Sequence, residues 1–80
     1  MGIKDTSGQM LVKALEKQGY VVTRQKGSHI RLTISTKDSD KHITIPAHKP
    51  LKLGTISSIL KEVSEHFGIT KDALIIRLKL

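Results

Sequence analysis

The sequence predicts an α+β domain in the order α-β-β-β-α: a three-stranded antiparallel sheet with two helices on one face, plus a short C-terminal helical extension. Two observations carry this. Apolar residues recur at helical spacing near both ends, as Met10, Leu11, Ala14 and Leu15, and as Ile56, Ile59, Leu60, Val63 and Phe67. Between them Ile30, Leu32 and Ile34, then Ile43 and Ile45, alternate with polar residues. That is the period of a strand with one buried face. Laying both helical stripes on the apolar face of one antiparallel sheet buries them all.

Each element has its own signals. Ser7 is placed to cap the first helix, read as about 7 to 18, and Gly19 closes it. Tyr20 to Gln25 is β-branched and extended in character, and Lys26-Gly27 marks a turn. Residues 29 to 34 form the second strand, Asp38-Ser39-Asp40 the next turn, and 42 to 45 the third strand. Pro46 cannot donate to a ladder and ends it. A loop over 47 to 53 leads to Thr55, a candidate cap for the second helix, which Gly68 terminates. Thr70 is placed to cap a third helix carrying Leu74, Ile75 and Leu78. No repeat or second domain is visible, so residues 1 to 80 read as one domain. Double-stranded-RNA-binding domains have the same element order, a likeness of fold that leaves function open.

Composition narrows the partners. Fourteen Lys and Arg face seven Asp and Glu, a net charge of +7 spread along the chain. A compact basic domain suits a polyanion, whether nucleic acid or an acidic protein. Cysteine is absent, which excludes disulfides and thiolate metal sites and fits a reducing cytoplasm. No apolar run reaches the roughly 20 residues of a membrane helix, and no signal-peptide core is evident at the start. Neither membrane nor export is expected.

Strand parity puts His29, Arg31 and Thr33 on the sheet face away from the core. A hairpin turning symmetrically about Asp38 and Ser39 pairs Ile34 with Ile43 and Leu32 with Ile45, and sets His29 opposite His48. A two-residue turn at Lys26-Gly27 sets Arg24 opposite His29. Arg24, His29 and His48 then cluster, with Lys26, Arg31 and Lys49 near. A histidine titrates near neutral pH and moves protons, and cations steady charge growing on a phosphate. Together these are parts for metal-free RNA cleavage. Other readings of the same residues stand beside it. His29 is equally a polar surface residue, Gly27 a turn glycine and the cations a solvated face. His29, His42 and His48 are potential metal ligands, although their spacing matches no standard site. Ser28 has no base-and-orienter pair near it, which argues against a serine hydrolase.

Several segments, in order, carry a family resemblance. They are Ser7-Gly8, Leu15-Glu16-Lys17-Gln18-Gly19-Tyr20, Arg24-Gln25-Lys26-Gly27-Ser28-His29, Ile45-Pro46-Ala47-His48-Lys49, Leu53-Gly54-Thr55 and Ile59-Leu60. Over about residues 5 to 66 the chain resembles the HicA (YcfA-like) toxins of bacterial and archaeal toxin–antitoxin systems. The resemblance implies a double-stranded-RNA-binding-type domain acting as an mRNA interferase, with His29 catalytic. Arg24, Lys26, Gly27, Ser28, Arg31, His48 and Lys49 are the expected supporting or RNA-binding residues. It further implies a HicB-like antitoxin and no metal or cofactor. A cytoplasmic location is expected, with the chain a monomer when free or a hetero-oligomer with the antitoxin. Two features depart from the family pattern. Residues 67 to 80 extend past its usual end. Ile30, Arg31 and Leu32 stand where another histidine or an aromatic is frequent, so RNA would be held chiefly through phosphates and 2′-hydroxyls. The alternatives are a non-catalytic RNA-binding module on this fold and a protein-interaction domain with an acidic partner.

Overall fold

The computed structural model describes residues 3–80. A short 3-10 turn at Ile3–Asp5 precedes α1 (Gly8–Glu16), β1 (Val21–Lys26), β2 (His29–Ser35), β3 (Asp40–Pro46), α2 (Leu53–Phe67) and α3 (Lys71–Leu78). The strands form one antiparallel sheet in the order β1-β2-β3. Ile30, Leu32, Ile43 and Ile45 of its inner face share one core with Leu11, Val12 and Leu15 of α1 and Ile56, Ile59, Leu60 and Val63 of α2. This is the α+β, α-β-β-β-α architecture that the two periodicities predict.

The helix ends follow local chemistry. The Ser7 hydroxyl accepts the Met10 N–H at 3.1 Å, and Thr70 does the same for Ala73 at 3.1 Å. Gly68 ends α2 at φ 67°, the left-handed value that glycine adopts without a Cβ penalty. Other boundaries differ from expectation. The first helix stops at Glu16, and Gly19 at φ 107° turns the chain into β1 two residues past the Lys17 cap. Its buried side is Gly8, Leu11, Val12 and Leu15, and Met10 is 42% exposed. The second helix starts at Leu53, ahead of Thr55, with Lys52 as an N-cap that makes no side-chain bond. Buried Leu51 explains the early start: its N–H donates to the Thr6 carbonyl at 2.9 Å, so the chain is already fixed when it leaves that anchor.

Register is the main correction. The second hairpin closes on Thr36 and Ser39, where the Thr36 N–H donates to the Ser39 carbonyl at 2.9 Å and the Thr36 hydroxyl accepts the Ser39 N–H at 3.1 Å. The turn therefore centres on Lys37 and Asp38. Leu32 pairs with Ile43, Ile30 with Ile45, and His29 with Pro46 in place of His48. This two-residue slip leaves every side chain on its predicted face and changes only its neighbours. The first hairpin turns at Gly27-Ser28, one residue later than expected. Lys26 lies opposite His29, and Arg24 opposite Arg31.

Candidate functional site

The turn between β1 and β2 sets the geometry. Gly27 has φ 58° and Ser28 is not left-handed, the pattern of a two-residue turn with glycine first. Such turns match the right-handed twist of their strands. Lys26 and His29 consequently face each other directly beside the turn. The next open-face row holds Arg24, Arg31 and Thr44, one from each strand.

Arg24, Lys26, His29, Arg31 and Thr44 line a cavity of about 250 Å³ on the outer side of the sheet. His29 is exposed and Arg31 half-buried. The Arg31 Nε is buried and has no hydrogen-bond partner among the described residues. No carboxylate lines the cavity. Like charges directly opposite across two strands destabilise a sheet unless something between them is negative. The Arg24–Arg31 pair therefore suits a bound anion, and guanidinium forks match phosphate oxygens two at a time.

A polar chain borders this cluster. Thr33 bonds through its hydroxyl to the Thr23 hydroxyl and to His42 Nδ1, both at 2.8 Å, linking all three strands. The bonds explain why Thr33 is buried on the outer face. Thr23 sits at the β1 irregularity between Val22 and Arg24, which brings it over β2.

Of the residues expected at the site, Arg24, Lys26, His29 and Arg31 come together, and Gly27 and Ser28 form the turn. His48 and Lys49 do not join the lining. They are exposed in the segment after β3, where the His48 carbonyl accepts the Gly8 N–H at 2.9 Å. That segment is pinned to both neighbours. The Ala47 N–H donates to the Ser28 carbonyl at 2.6 Å, and Gly8 packs so closely on the Pro46 carbonyl oxygen that a Cβ there would clash with it. Sequence reasoning passed over Thr44, although alternation with Ile43 and Ile45 already put it on the polar face.

A second cavity, of about 300 Å³, lies between β3 and α2 and includes Tyr20, His42, Glu62, Glu65 and His66. Its two carboxylates make it unsuited to a phosphate. Among the described residues no group of three or more His, Cys, Asp or Glu is placed to hold a metal ion. No helix among them is long and apolar enough to cross a membrane.

The family model described as the HicA toxin of bacterial toxin–antitoxin systems matches residues 8–64, which contain every residue lining the cationic cavity. No curated protein and no solved structure matches the chain.

Proposed function

The chain belongs to the HicA toxin family, toxins of toxin–antitoxin systems, and from that premise we propose that it is an endoribonuclease acting on mRNA at the open face of its sheet. The observation that supports this most is the row pairing. Arg24 faces Arg31 and Lys26 faces His29, in a cavity with no carboxylate. Four groups suited to a phosphodiester thus converge on one surface.

The proposed reaction is transesterification without a metal. The RNA 2′-oxygen loses its proton and attacks the adjacent phosphorus. The bond from phosphorus to the 5′-oxygen breaks, leaving a 2′,3′-cyclic phosphate, and the departing 5′-oxygen gains a proton. His29 supplies one of the two proton transfers, and Arg24, Arg31 and Lys26 hold the non-bridging oxygens. Thr44 offers a hydroxyl to the sugar or phosphate. DNA lacks the 2′-hydroxyl and is not cut. A HicB-type antitoxin is the proposed inhibitor, with the toxin a monomer when free and acting in the cytoplasm.

One observation favours the non-catalytic alternative, an RNA-binding module. Among the described residues no side-chain hydrogen bond orients the exposed His29 ring. Cleavage of single-stranded RNA in the presence of chelator separates the two readings. Under the catalytic reading His29→Ala lowers the cleavage rate about 10²- to 10⁴-fold and leaves RNA affinity nearly unchanged. A substrate with a single 2′-deoxy substitution at the cut site resists wild type. Cutting by His29→Ala at the wild-type rate overturns the catalytic assignment.

A further inference from the structure

α1 carries a second lengthwise stripe. Gly8, Leu11, Val12 and Leu15 face the core, and Met10, Lys13 and Ala14 lie along another side, continued by the Lys17 cap and Gln18 of the turn that follows. The end of α3 forms a wall beside this stripe with Arg77, Lys79 and Leu80, enclosing a groove of about 480 Å³.

A backbone feature shapes that wall. Lys79 has φ 59° and is the only non-glycine residue in the left-handed region among the described residues. An L-residue pays sterically for that conformation where glycine does not. The turn is tied down by the Lys79 N–H to the Ile76 carbonyl and the Leu80 N–H to the Ile75 carbonyl, both at 3.1 Å. It brings Leu80 back against the core and leaves Lys79 exposed.

The groove has two chemical characters at once. Lys13, Lys17, Arg77 and Lys79 line it, and no Asp or Glu does, so it is positive. Lys13 and Lys17 are one helical turn apart, a spacing at which like charges repel. Met10, Ala14 and Leu80 add apolar surface between the cations. No aromatic ring lines it, so a nucleic-acid strand would find phosphate contacts there and no base stacking. Apolar surface between cations complements an amphipathic segment whose aliphatic side chains are flanked by Asp or Glu.

We propose that the α1–α3 groove docks an acidic, aliphatic-rich segment of a protein partner. The groove belongs to the helical layer, apart from the open sheet face that carries His29. Its α3 wall lies beyond residues 8–64, so the site is built with a part of this chain outside the family match. It stands independently of any cleavage by His29.

Amide NMR of the full chain tests this, with three probes. They are a helical peptide of Glu and Leu with its Leu residues on one face, the same peptide with Lys for Glu, and a single-stranded RNA. The acidic peptide is expected to give saturable shifts confined to Met10–Gln18 and Arg77–Leu80. The double variant Lys13→Glu, Lys17→Glu weakens that binding by about tenfold or more and leaves RNA shifts at β1 and β2 unchanged. If the charge reversal unfolds the protein, Lys13→Gln with Lys17→Gln provides the same comparison. Absence of saturable shifts at these residues overturns the proposal. So does an equal response to the Lys peptide, which would mark an unspecific apolar patch, or occupation of the groove by RNA in place of peptide.

Discussion

Arg24 and Arg31 lie directly opposite each other, so each raises the cost of the other in the free protein. Under the proposed function, RNA binding and stability therefore pull apart at this pair. Arg24→Gln is expected to stabilise the free protein by about 0.2–1 kcal/mol at low salt, the range for a relieved cross-strand pair. The same change weakens RNA binding and flattens the log–log salt dependence by about 0.7 for one lost single-strand phosphate contact. Thermal unfolding and a salt titration of binding read the two effects separately. Gly27 makes a different demand. Nothing lies within 4 Å of a Cβ built there, so its constraint is the φ of 58° alone. Gly27→Ala should cost about 1–2 kcal/mol in unfolding free energy, the usual penalty of a left-handed L-residue. Cleavage should fall with it, because the turn sets Lys26 against His29.

At the scale of elements, the unexpected contribution is that of α3. Leu74 is fully buried and Leu78 nearly so, and both join the core shared by the sheet and the two larger helices. Arg77 also stacks over the Phe67 ring, 5.5 Å from its centroid. Leu74→Ala is expected to lower stability by about 2–5 kcal/mol, measured by denaturant unfolding. A cost near zero would show that α3 is an appendage. The element ends were largely legible: Ser7, Gly68 and Thr70 act as caps through the hydroxyl and left-handed chemistry that their residue types offer. The start of α2 was not, because it follows from the tertiary bond between Leu51 and Thr6.

At the scale of the whole molecule, Tyr20 links burial to pH. The Tyr20 hydroxyl is held above its usual pKa near 10, first by burial and then by the Glu62 carboxylate. The folded state thus favours the neutral phenol. This contribution is complete below about pH 10, where the phenol is neutral in both states. Above that the unfolded chain ionises first, and stability declines as pH climbs toward the higher folded value. Unfolding measured in steps from about pH 9 upward should show this loss, and Tyr20→Phe should remove that part of the slope. If the decline is the same in Tyr20→Phe, its source lies elsewhere.

His29 shows where legibility ends. Alternation with Ile30 and Leu32 was enough to put it on the outer face beside Arg31, because side chains in a strand repeat every two residues. Any even slip preserves that result, so the faces of the strands were determined by the sequence itself. Its opposite neighbours were not. Lys26 faces it because the first hairpin turns at Gly27-Ser28, and Pro46 because the second closes on Thr36 and Ser39. The Gly8–Pro46 approach and the bonds from Ala47 and Gly8 then hold His48 in the segment past the strand. Periodicity decides which side of a sheet a residue takes. Only the closed turns and the packing of distant segments decide what stands across from it.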